Sequence, residues 1–211
     1  MIFQFPRAIL IASTLLFVPL AARADGLFSI PVAQNPDKGT TELILEQDAS
    51  GASFRSPDTL RIGTVEYGLT RQLAVGFDAR LIGRGRVEPN FSLLLSRPKA
   101  AVNVALGYQN VGVRSFGEQP YVVASRNLGT FSLHGGLTRD SGGTHPMIGL
   151  EKHFGSKFEL EADAINGAGN YITLGGQFAL AKNANLAAGY MIANSRGDSN
   201  GLYLSIERDL K

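Results

Sequence analysis

The sequence predicts an all-β fold, a single antiparallel up-and-down transmembrane β-barrel of about 12 strands, and three observations carry that expectation. The stretch Gln72 to Leu81 alternates strictly: Leu73, Val75, Phe77, Ala79 and Leu81 are apolar, and the residues between them are small or polar. A period of two with one apolar face marks a strand, and about 9 to 11 residues is the length a tilted strand needs to cross a bilayer. Near-copies of this pattern recur as hairpins with a repeat of roughly 26 to 29 residues. The connections between them alternate between short turns and mostly longer Gly/Ser/Asp-rich joins, the asymmetry of a bacterial outer-membrane barrel whose short turns are periplasmic.

The N-terminus reads as a secretory signal peptide over residues 1–24. Arg7 precedes an apolar run from Ala8 to Leu20, and Ala22-Arg23-Ala24 has the small-x-small form of a cleavage site. The run is too short for a spanning helix, which needs about 20 apolar residues. Its removal takes away Arg7 and Arg23 and no acid, so 18 basic and 18 acidic residues remain. A neutral chain argues against a nucleic-acid partner, because such binding rests on many cationic contacts to phosphate. With no cysteine anywhere, disulfides, thiolate metal sites and thiol catalysis are excluded together.

Residues 25–39 form a periplasmic lead-in with two prolines and no periodicity, expected to tuck under or into the barrel. The barrel itself occupies 40–211. Strand cores are expected at 40–47, 59–67, 72–82, 87–96, 100–109, 120–127, 130–138, 145–153, 158–165, 171–180, 185–193 and 201–208. Weak alternation in Thr40 to Gln47 and Gln119 to Asn127 leaves ten strands as the alternative. The short turns are Gly68 to Arg71, Arg97 to Lys99, Leu128-Gly129, Phe154 to Lys157 and Ala181 to Ala184. The longer joins are Asp48 to Asp58, Gly83 to Arg86, Asn110 to Glu118, Arg139 to Thr144, Asn166 to Asn170 and Asn194 to Asn200.

Alternation also assigns the faces. Phe91, Leu93, Leu106, Leu133, Ile148, Leu160, Leu174, Phe178 and Leu204 fall on the lipid side. The lumen-lining set is Asp78, Arg80, Glu88, Asn90, Asn103, His134, Glu151, His153, Glu159, Glu161 and Asp163. Charges on that face are costly in a dry core, so a solvated or hydrogen-bonded lumen accommodates them better. Tyr67, Phe131, Phe154, Phe158 and Phe178 cluster toward the short turns, and Phe91, Tyr108, Tyr121, Tyr171 and Tyr190 toward the loops, as two interfacial girdles would.

Two stretches resemble known families. Gly26-Leu27-Phe28-Ser29-Ile30-Pro31-Val32-Ala33, closed by Gly39, resembles the Gly-Leu-x-x-x-Pro-Thr-Ala opening of YjbH-type outer-membrane proteins. That resemblance implies a barrel associated with exopolysaccharide production. Ser199 to Ile206 is similar to the C-terminal β-signal of outer-membrane proteins, which implies recognition by the barrel-insertion machinery.

Glu159, Glu161 and Asp163 form one inward row, with Glu151 and His153 on the preceding strand. The row fits a lumen wall that favours cations or holds a divalent ion by carboxylate oxygens, and it fits the default of such barrels, a set of lumen carboxylates neutralised by neighbouring basic groups. In a twelve-stranded barrel the third and ninth strands are opposite, which would aim Arg80 at this wall. None of His134, His145 and His153 has metal-motif spacing, and no hydrolase signature is present, so no catalytic residue, metal or cofactor is assigned and the chain is not read as an enzyme. Ser132 beside His134 is a same-strand pair, not a nucleophile with its base. Gly83-Arg84-Gly85-Arg86 reads as a cationic loop tip near lipopolysaccharide.

Three functions remain open from sequence. The first is an outer-membrane barrel acting as a narrow, porin-like solute or ion channel, or as a structural envelope protein. The second is a non-conducting accessory barrel in exopolysaccharide production or export. The third is a soluble periplasmic ligand-binding β-barrel. The partners expected for the first are outer-membrane lipid and lipopolysaccharide, the insertion machinery, and small solutes or polysaccharide.

Overall fold

The computed structural model describes residues 27–50, 59–81, 86–97, 100–109, 111 and 118–211. The signal segment, Gly83 to Gly85, most of the Asp48–Asp58 and Asn110–Glu118 joins, and Pro98-Lys99 lie outside the described residues. Twelve strands follow in chain order: β1 Thr41–Ser50, β2 Leu60–Gly68, β3 Leu73–Arg80, β4 Val87–Leu94, β5 Asn103–Gln109, β6 Gln119–Asn127, β7 Phe131–Asp140, β8 Gly143–Phe154, β9 Phe158–Ile165, β10 Tyr171–Ala181, β11 Ala184–Ala193 and β12 Gly201–Leu210. Each pairs antiparallel with its sequence neighbours, and β1 closes on β12 from Thr41↔Leu210 to Ser50↔Gly201. Closure satisfies every ladder and leaves no edge strand, the condition for backbone to cross hydrocarbon as a sheet. The ten-strand alternative is thereby set aside.

Alternating sequence turns into two chemically distinct surfaces. Val75, Phe77, Leu133, Ile148, Leu150, Leu160, Leu174 and Phe178 stand exposed on the outside. So extensive an exposed apolar band exceeds what soluble monomers carry and matches a lipid-facing surface, which weighs against the soluble alternative. At the short-turn end the Phe158 ring lies 4.6 Å from Phe178 and 5.8 Å from Phe154. Lys152, facing outward there, holds its ammonium 4.3 Å over Phe131 and 5.3 Å from the Phe154 ring centre. An aromatic girdle with a lysine reaching along it is the chemistry of a membrane interface.

Three sequence expectations need correction. The join Arg139 to Thr144 is not a loop: Arg139 pairs with Thr144 and Asp140 with Gly143, leaving Ser141-Gly142 as a tight turn. Asp140 closes it, accepting hydrogen bonds from Gly142 N at 2.6 Å and from His145 Nε2 at 2.9 Å. Between β4 and β5 the connection runs from Leu95 to Val102, longer than Arg97 to Lys99, because the Ser96 hydroxyl takes the Val104 N–H and interrupts the ladder. Tyr121 and Tyr171 do not join the loop-end girdle; both pack inward against residues of the lead-in and its neighbours.

The lead-in reverses at the short-turn end and runs back up inside the barrel. Gly39, at φ +82°, makes a left-handed step that a side chain would strain. Its N–H donates to Gly68 O at 2.8 Å, and Thr40 N donates to Asp37 O at 2.9 Å, pinning the reversal to the end of β2. From there, residues 36 to 27 lie against the inner walls of strands that are distant in sequence.

Candidate functional site

The interior narrows to a waist where the lead-in packs against the wall. Leu27, Ile30, Val32 and Ala33 pack against Ala105, Val123 and Met147 on β5, β6 and β8, while Phe28 packs on the opposite side against Ala187, Met191 and Tyr203. The Phe28 and Tyr203 rings meet edge to face, 5.0 Å apart. Glycines make the room: a Cβ added at Gly149 would collide with Leu27 and Ile30, and one at Gly175 would come 2.6 Å from Phe28 Cζ. Polar atoms of the segment are matched to the wall. Ser29 N donates to Asp163 Oδ2 at 2.6 Å, Ser29 Oγ lies 3.1 Å from Thr173 Oγ1, and Ala33 N donates to Ser125 Oγ at 2.8 Å.

Below the waist, toward the short turns, the wall becomes acidic. Gly155 (φ +71°) turns β8 into β9 with a register that sets Glu151 opposite Glu161 and His153 opposite Glu159. Glu151, Glu159, Glu161 and Asp163 are all buried. His153 Nδ1 lies 3.0 Å from Glu159 Oε2, and its Nε2 lies 3.5 Å from Ser132 Oγ. His134 Nδ1 is 2.8 Å from Ser125 Oγ, and its Nε2 is 3.3 Å from Glu151 Oε1. Ala33 N–H donates to Ser125 Oγ, which is within hydrogen-bond distance of His134 Nδ1, while His134 Nε2 stands beside Glu151 without a hydrogen bond to it. Serine, histidine and glutamate thus line up, but Ser125 is covered by the lead-in backbone, so the row offers no open nucleophile.

The other residues singled out from sequence also point inward, on the far wall. Asp78 accepts hydrogen bonds from Thr64 Oγ1 at 2.7 Å and Asn90 Nδ2 at 3.3 Å. Arg80 Nε is 4.0 Å from Glu88 Oε1 on the adjacent strand. Asn103 pairs in register with Ser125 and shares its face. Sequence reading missed Ser125, Thr173 and Tyr203, and it missed the acids of β1: buried Glu42, with Glu46 and Asp48. The hydroxyl of Tyr203 donates to Glu46 at 3.4 Å. A period of two through Glu42, Glu46 and Asp48 was the available signal, masked by Ile44, which shares their face.

The lead-in divides the short-turn mouth into two cavities of contrasting charge. One, of about 700 Å³, is bounded by Gln34 and Asn35 and reaches Glu151, His153 and Glu159. The other, of about 740 Å³, is bounded by Lys38, Arg71 and Lys211.

No family model matches the sequence, and no curated protein matches it. Solved structures do share its architecture. A KdgM porin superposes with a TM-score of 0.61 at 8% identity, over 81% of this chain and 99% of the porin. A KdgM porin in complex with disordered oligogalacturonate gives 0.59 at 10% identity, over 82% of this chain and 99% of that one. At these identities the likeness is one of fold: a closed barrel of porin type.

Proposed function

We propose that this chain is an outer-membrane barrel acting as a narrow, porin-like channel for small cations and neutral solutes. The observation that carries the proposal is the pairing of an apolar outer band with an inner wall of buried carboxylates, Glu151, Glu159, Glu161 and Asp163, in a fold of porin type. Charged inward residues set selectivity in such barrels, and a carboxylate wall attracts cations. Oligogalacturonate, held by one porin of this fold, is a polyanion, and the acidic wall here disfavours that class of solute. Asp78, Arg80, Glu88, Asn90, Asn103 and His134 complete the lining of the path in this proposal. In this reading the apolar band faces outer-membrane lipid and lipopolysaccharide, and the final strand serves as the segment for the insertion machinery.

A second reading is favoured by a separate observation. Leu27, Phe28 and Ile30 fill the waist, which suits a non-conducting accessory barrel, and the same segment, through Gly26, Leu27, Pro31 and Ala33, carries the resemblance to exopolysaccharide-associated proteins. Reversal potentials in a salt gradient across a planar bilayer separate the two. Discrete, cation-selective steps support the channel. Silence from protein that is folded and β-rich supports the accessory barrel.

A further inference from the structure

We propose that Glu151, His153 and Glu159 form a binding site for one divalent transition-metal ion at the floor of the acidic cavity. One ligand atom from each lies within 4.8 Å of the other two. Zinc ligands about 2.0 to 2.2 Å from the ion stand roughly 3.5 Å from one another, so side-chain rotation suffices to close the set without moving the sheet.

Proximity of acids alone would not make a site, and the state of Glu159 is the independent observation. This side chain is 1% exposed, yet neither carboxylate oxygen receives a hydrogen bond among the described residues. His153 Nδ1 is close to Oε2 without forming a hydrogen bond to it. A buried carboxylate with no donor is costly, and a cation placed between Glu159, Glu151 and the imidazole lone pair removes that cost.

The surroundings are built as a metal site requires. The three ligands come from β8 and β9, two paired strands of a closed sheet, so their separation is fixed by the ladder. Each of two ligands has an outer partner: Ser132 Oγ beside His153 Nε2, and His134 Nε2 beside Glu151 Oε1. The cavity of about 700 Å³ admits water to the remaining coordination positions. One imidazole with two carboxylates suits zinc or a neighbouring transition metal, whereas calcium takes six to eight oxygens. Gln34 and Asn35 bound the same cavity, so an ion here sits against the base of the lead-in. The site stands whether or not the barrel conducts.

The test is calorimetric titration of ZnCl2 into chelator-stripped protein folded in detergent, with thermal melts in parallel. Wild type should bind one ion and melt at a higher temperature with zinc present. Glu159→Gln and His153→Gln should each weaken binding by about tenfold or more, while His145→Gln, at the other end of the barrel, should leave it unchanged. Glu159→Gln keeps the side chain's size and removes a buried carboxyl group that receives no hydrogen bond, so its fold should persist. Wild type with no heat and no melting shift would overturn the site. So would affinity that survives both Glu159→Gln and His153→Gln, or that disappears with His145→Gln.

Discussion

The waist and the short-turn mouth are two stretches of one interior, and they solve opposite problems. At the waist, Leu27, Phe28 and Ile30 meet Val123, Met147 and Tyr203 with glycine at the points of closest approach. At the mouth, a few residues along the same segment, Gln34 and Asn35 border an open cavity whose wall is Glu151, His153 and Glu159. The difference shows how a barrel with one continuous sheet divides labour by what lies inside it. Constriction rests on apolar burial contributed by the lead-in, and charge chemistry rests on the strand residues Glu151, His153 and Glu159 that line the cavity beside it.

Substitutions along the two stretches should therefore differ in kind. Ile30→Ala, removing one of the most deeply buried side chains, should cost about 2 to 5 kcal/mol in reversible unfolding from detergent. Asp163→Ala strips the acceptor from Ser29 N and should cost roughly 1.5 to 3 kcal/mol by the same measurement. Gly149→Val pushes Leu27 and Ile30 off the wall and should cost about 1 to 3 kcal/mol while raising conductance, since only side-chain ends of the lead-in stand in its way apart from an ordinary contact with His134. Replacing Glu159, Glu161 and Asp163 together by Gln, Gln and Asn should lower cation preference, read as a smaller reversal potential in a salt gradient. Gln34→Ala at the mouth should change stability by no more than about 0.5 kcal/mol. An Ile30→Ala cost as small as that of Gln34→Ala would erase the contrast.

Strand positions were legible because period two is written directly in residues such as Leu73, Val75 and Phe77 against Ala74, Gly76 and Asp78. The same alternation placed Glu159, Glu161 and Asp163 on one face, since a strand displays its faces without help from its neighbours. What lay beyond reach was contact between strands. A slip of one residue at Gly155 would turn His153 away from Glu159, so their meeting depends on turn geometry that the alternation does not encode. The hairpin at Ser141-Gly142 was misread for a related reason: its polar, glycine-rich letters look like a loop, while Asp140 and His145 pin them into a turn. The lead-in has no period at all, so its course against β5, β6, β8 and β11 arises only from the fit of Leu27, Phe28 and Ile30 into glycine-lined space.

Single-channel conductance of the folded protein, recorded beside a variant lacking residues 27–35, tests most directly whether the lead-in constricts the waist. The account predicts small, cation-selective steps from the intact chain and steps several-fold larger from the deletion, with both proteins equally β-rich by circular dichroism. Equal conductance from the two would contradict it.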